Sequence, residues 1–152
     1  MRNATLSLLA TATLLTGCAS SPESEAGPAY APHTMNVLLG GSFSREGEGV
    51  ALGANYECRK SKTLGFGAFG DVAFAREVST ILGGGIMVHP ADRWTLLAGP
   101  GVEFADGDAD VIARIGGWYA IPVDKYTLAP TAWVDFGNDS HFFLGLSFGF
   151  NL

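Results

Sequence analysis

His141-Phe142-Phe143-Leu144-Gly145-Leu146-Ser147-Phe148-Gly149-Phe150-Asn151-Leu152 is the stretch that decides the fold. Phe142, Leu144, Leu146, Phe148, Phe150 and Leu152 occupy one phase of a two-residue period; Phe143, Gly145, Ser147, Gly149 and Asn151 occupy the other. Successive side chains of an extended backbone point to opposite faces, so this is a strand with one bulky apolar face and one face of mostly small residues.

The same alternation recurs upstream. It predicts eight strands at about 35–43, 50–59, 64–74, 80–89, 94–105, 111–122, 126–136 and 141–152. Turn-forming clusters separate them, among them residues 44–49, 60–63, 75–79, 90–93, 106–110, 124–125 and 137–140. All are of hairpin length, so the simplest topology is an up-and-down antiparallel meander. Pro100 and Pro130 interrupt two strands, and because each lacks an N–H for the ladder, a local bulge is expected at each.

Which face points inward follows from volume and chemistry. The bulky phase supplies roughly five large residues per strand, too many for the interior of an eight-stranded barrel, which is only about wide enough for side-chain filling. The opposite phase is mostly Gly, Ala and Ser with occasional charges, whereas a water-facing sheet would be rich in Lys, Glu and Thr. The expected fold is therefore all-β: an eight-stranded antiparallel up-and-down transmembrane β-barrel, with small residues and a few charges in the lumen. The strand lengths match the ~9–11 residues that cross a bilayer at a tilt. Aromatic residues form two outward girdles: Tyr56, Trp94, Tyr119, Tyr126 and Phe150 at one rim, and Phe43, Phe74, Phe104, Phe136 and Phe142 at the other.

Composition agrees. Charged residues are 16% of the 152 positions, Gly is 21, and the hydrophobic share of 47% excludes an intrinsically disordered chain. Nine Lys and Arg against fifteen Asp and Glu exclude a basic nucleic-acid binder. No stretch reaches the ~18 apolar residues of a membrane-spanning helix.

The N-terminus reads separately. Arg2 and the small or apolar run Ala4 to Thr16 have the charge and length of a secretory signal segment, 1–17. Leu15-Thr16-Gly17-Cys18 resembles the lipobox of bacterial lipoproteins, which implies lipidation at Cys18, and Ala19 after it implies sorting to the outer membrane. The rival use of Cys18, if the segment is retained, is a disulfide with Cys58. Residues 18–34, rich in Ser, Pro, Ala and Glu, read as a flexible tether, and 35–152 as the barrel domain.

The barrel region resembles the small bacterial outer-membrane barrels of the OmpA/OmpX type over about residues 35–152. Leu144 to Leu152 is similar to the C-terminal strand signal read by the barrel assembly machinery. Two departures stand out: the chain ends in Leu152 rather than an aromatic residue, and its turns are short. The resemblance implies an outer-membrane location, membrane lipid and the assembly machinery as partners, and a monomer.

Candidate chemistry is sparse. Glu57, Arg59, Asp71, Glu103, Arg114 and Asp135 all fall in the lumenal phase and are expected to form a charge network filling the lumen. His141 beside Asp139 and Ser140 has the residue types of an ester hydrolase, but three adjacent turn residues do not converge as a triad. His89 precedes Pro90 at an expected turn. Gly65-Phe66-Gly67-Ala68-Phe69-Gly70 matches the dinucleotide fingerprint in letters only, because no helix follows it. Asp106-Gly107-Asp108-Ala109-Asp110 starts like a calcium loop, but Val111 stands at its sixth position where Gly is needed. The expectation is a non-enzymatic outer-membrane barrel with a structural or surface-interaction role, without catalytic residue, metal or cofactor. The alternatives are a periplasmic lipoprotein with a soluble ligand-binding barrel and an outer-membrane lipid-modifying enzyme.

Overall fold

The structure, a computed structural model, describes residues 32–45 and 47–152. The signal segment, Cys18 and the tether up to residue 31 lie outside the described residues. Nine strands follow in order: β1 (His33–Ser44), β2 (Gly47–Arg59), β3 (Leu64–Phe74), β4 (Val78–Ala91), β5 (Trp94–Ala105), β6 (Asp108–Tyr119), β7 (Ile121–Val123), β8 (Tyr126–Phe136) and β9 (His141–Asn151).

They make eight walls. β6 and β7 both pair with β8 in one continuous register, Trp118↔Thr131 followed by Ile121↔Leu128, so β7 continues β6 past a break at Ala120. Every neighbour is antiparallel, and the ring closes where β1 pairs with β9. Closure leaves no sheet edge along the walls, which is what a strand bundle surrounded by hydrocarbon requires. One rim carries His33 and Asn151, the two ends of the barrel, and is called here the terminal rim; the opposite one is the distal rim.

Several boundaries differ from the sequence reading. β1 starts at His33, so the last two residues read as tether already belong to a strand. β4 extends to Ala91 and takes His89 into the wall instead of a turn. The expected five-residue turn at 106–110 is a two-residue turn, Asp106-Gly107, with φ of 51° and 86°. Two successive residues with positive φ define the tight hairpin turn whose twist matches its strands, and Asp-Gly is a favoured pair for it.

The expected bulges at Pro100 and Pro130 do not occur. Pro100↔Ala113 and Pro130↔Leu146 sit in unbroken registers. An antiparallel residue directs its N–H to one neighbour only, so a proline removes one bond and leaves the other ladder intact. On the β4 side of Pro100 the ladder passes from Gly83↔Gly101 to Ile86↔Ala98, skipping Gly84 and Gly85. The register shift lies instead between Val88 and Ala91, around Pro90 at the end of β4.

Bulky side chains face out. Leu39, Leu52, Leu82, Leu144 and Phe148 are each about half exposed (48–56%), although they sit in mid-strand. Among the described strand residues the outward phase carries one charged side chain, Glu48, at the distal end of β2. The terminal rim is fixed by edge-to-face pairs, Trp94 with Tyr119 and Tyr126 with Phe150; at the distal rim Phe43 meets Phe142. The lumen is more apolar than the sequence reading held. Phe69, Met87, Leu97, Ile112 and Trp118 form one buried cluster, and Leu38, Trp133 and Phe143 belong to another. Small residues alone would leave voids, and close packing forbids them; the glycines make room for neighbouring rings. A Cβ at Gly83, for example, would run into the Phe69 ring.

Candidate functional site

The lumen is where polar chemistry collects. Glu57, Arg59, Asp71, Glu103, Arg114 and Asp135 all point into it, because each shares the parity of its strand's buried residues. They do not form one network. They separate into three clusters along the barrel axis, and two of these are completed by histidines that the sequence places at turns rather than in the lumen.

The middle cluster is the waist. Arg114 on β6 bonds the facing carboxylate of Asp135 on β8 in a two-pronged fashion, Nε to Oδ1 at 2.6 Å and Nη2 to Oδ2 at 2.7 Å. It also reaches across the lumen to Asp71 on β3, with Nη1 on Oδ1 and Nη2 on Oδ2 at 3.2 Å. Its guanidinium lies between the rings of Phe69 and Trp133, 4.4 Å from each centroid, and Trp133 stacks on Phe143 at 3.9 Å. A planar cation suits this position, since its edge serves the carboxylates while its two faces meet aromatic quadrupoles.

The distal cluster pairs Glu103 on β5 with His141 on β9 at 3.2 Å. His141 therefore turns into the lumen toward Glu103. Asp110, from the calcium-like stretch, accepts a hydrogen bond from Asn138 at 2.8 Å. No group of three or more His, Cys, Asp or Glu among the described residues could hold a metal ion.

The terminal cluster is the most elaborate. Glu57 on β2 crosses over β3 to accept a hydrogen bond from His89 Nε2 on β4. The crossing needs Gly65, where a Cβ would collide with the Glu57 carboxylate. The other ring nitrogen of His89 lies 2.8 Å from Arg59 Nη2 and 3.0 Å from Thr95 Oγ1. Glu57, His89 and Thr95 are buried, and Arg59 lies between them and the terminal opening. A parity count would have found both histidines: His89 is in phase with Met87, and His141 with Phe143. Pro90, directly after His89, makes the alternation read as a strand ending there, whereas the wall continues to Ala91.

Two cavities flank the waist. The distal one, of about 120 Å³, is lined by Ser42, Ser79, Glu103 and His141 among others. The terminal one, of about 320 Å³, is lined by Glu57, Arg59, Arg93, Thr95 and Trp118 among others. Every buried polar side-chain atom among the described residues has a partner. Cys58 is buried and held in a disulfide, with its partner outside the described residues.

No protein-family model matches the sequence, and no curated protein matches it. Solved structures do match its fold. A structure from the de novo design of transmembrane β-barrels is 15% identical, with a TM-score of 0.58, over 83% of this chain and 99% of that one. The de novo designed TMB2.3 is 15% identical, with a TM-score of 0.53, over 79% and 96%. Neisserial surface protein A is 11% identical, with a TM-score of 0.54, over 79% and 96%. The fold is thus that of small transmembrane β-barrels.

Proposed function

We propose that the chain is an outer-membrane β-barrel protein, monomeric and non-enzymatic, with a structural or surface-interaction role in the cell envelope. The observation that carries this reading is the inside-out distribution of polarity. Leucines and phenylalanines are half exposed at mid-wall, while charged pairs are buried in the lumen. In water that arrangement would leave a continuous apolar belt exposed, far beyond the few hundred Å² usual for a soluble monomer; in a bilayer it is the stable one. The fold likeness to Neisserial surface protein A supports an outer-membrane setting.

In this reading the barrel assembly machinery inserts the chain through the strand ending Phe148-Gly149-Phe150-Asn151-Leu152, and the membrane lipids contact the belt. Lipidation at Cys18 belongs to the same proposal. It competes with an intramolecular disulfide at Cys58 for one thiol, because the chain has two cysteines. The intact mass of protein extracted from membranes separates a thioether-lipidated chain from a disulfide-closed one.

Electrophoresis of the membrane fraction with and without boiling tests the barrel reading. The unboiled band is expected to run faster than the boiled one, as a closed barrel resists detergent unfolding. A Cys18→Ser mature chain that stays soluble without detergent would overturn the proposal in favour of a periplasmic binding barrel.

A further inference from the structure

The two rims of the barrel differ in charge. Every turn at the terminal rim carries cations: Lys60 and Lys62 between β2 and β3, Arg93 between β4 and β5, and Lys125 between β7 and β8, with Asp92 and Asp124 as the acids of the same turns. The distal turns and strand ends carry, among the described residues, Glu48, Glu77, Asp106, Asp108, Asp110 and Asp139 against Arg45 and Arg76. An anionic surface is therefore attracted to the terminal rim and repelled from the distal one.

The rims differ independently in the kind of aromatic residue that faces outward. The distal girdle of Phe43, Phe74, Phe104, Phe136 and Phe142 is phenylalanine throughout, whereas the terminal one adds Tyr56, Trp94, Tyr119 and Tyr126 to Phe150. Tyr and Trp combine an apolar ring with a polar tip and settle at the level of lipid headgroups.

The terminal cations are mounted on these rings. Arg93 Nη1 donates to Tyr119 Oη at 3.4 Å, and Tyr119 meets Trp94 edge to face with ring centroids 5.2 Å apart. Lys125 Nζ lies 5.2 Å from the centroid of Tyr126. Both cations are thus held at headgroup depth, and the Arg93 guanidinium has further donors beyond the one given to Tyr119. Lys62 pairs with Asp92 at 3.5 Å, but the two side chains are 70% and 84% exposed, and a pair so open to solvent leaves the ammonium accessible.

We infer that the terminal rim is a docking surface for anionic phospholipid headgroups, with Arg93 and Lys125 as the phosphate-facing cations beside Trp94, Tyr119 and Tyr126. The inference rests on the membrane-barrel reading, and its occupant is the lipid of the leaflet at that rim. A cation held near an anionic lipid surface favours association by about fivefold.

Trp94, half exposed at this rim, is the reporter, because Trp118 and Trp133 are buried in the lumen. The folded barrel is reconstituted in vesicles of phosphatidylcholine and phosphatidylglycerol with one lipid or the other brominated high in its chains, and the Trp94 signal is taken as the difference from Trp94→Phe. Quenching should show phosphatidylglycerol favoured about fivefold at low salt and not at about 1 M salt, where the screening length is ~3 Å. Arg93→Gln should remove most of the preference, and Arg45→Gln, the same charge change at the distal rim, should leave it intact. Equal quenching by the two lipids, a preference that survives Arg93→Gln, or an equal loss from Arg45→Gln would each overturn the inference. Fast migration of the unboiled reconstituted barrel would leave the membrane-barrel reading standing in any of those events.

Discussion

Arg114 is the residue on which the lumen is organised. It is about 1% exposed, yet four hydrogen bonds to two carboxylates and two aromatic faces surround it. Removing one member of such a group leaves uncompensated charge behind, at a cost of about 3–5 kcal/mol, whereas replacing the whole group by apolar residues is often neutral. Arg114→Met is therefore expected to lose about 3–5 kcal/mol of stability, measured by urea titration in lipid or detergent. The triple change Arg114→Met, Asp71→Leu, Asp135→Leu should recover most of that loss. A triple variant as unstable as the single one would show that the ring contacts, rather than the stranded carboxylates, carry the effect. At this scale the charges were legible from strand parity. The identity of their partners was not, because Asp71 lies 43 positions from Arg114 along the chain and His89 lies 32 from Glu57.

At the scale of the element, β9 shows how far alternation reaches. Its outward residues Leu144, Leu146 and Phe148 are exposed at 49–54%, while Phe143 and Ser147, in the opposite phase, are at 3% and 1%. Leu146 stands halfway along the strand, so Leu146→Arg puts a cation near the bilayer midplane, with an expected cost of about 2–4 kcal/mol. The same change at Leu152, beyond the end of β9, should cost less than about 1 kcal/mol. Equal costs at the two positions, measured by reversible unfolding in lipid vesicles, would mean that the band is not lipid-facing. Strand existence and phase were legible because a two-residue period persists over eight segments. The boundaries near prolines were not. Pro90, Pro100 and Pro130 are the same residue type in a strand pattern, but a register shift occurs only beside Pro90, at a wall end where the neighbouring ladder is already finishing.

For the whole molecule, closure and the filled waist together determine what can pass through. The two cavities are separated by Arg114, Phe69, Trp133 and the residues packed on them. Planar-bilayer recordings of the purified barrel are therefore expected to show no steady conductance of porin size, and a stable open channel of that size would mean that the waist is displaced in the membrane. The sequence by itself determined the architecture: eight alternating segments with hairpin-length turns, one apolar and one small or polar phase, and a volume argument that turns the apolar phase outward. Those are local and compositional properties, and they survive without knowing which strand meets which. Only the tertiary structure decided how the lumen is partitioned. Whether Glu57 reaches His89, whether Arg114 bridges β3 and β8, and where the cavities remain depend on the stagger of the closed ring. That stagger is the summed register of all eight pairings, and no single segment of the chain encodes it.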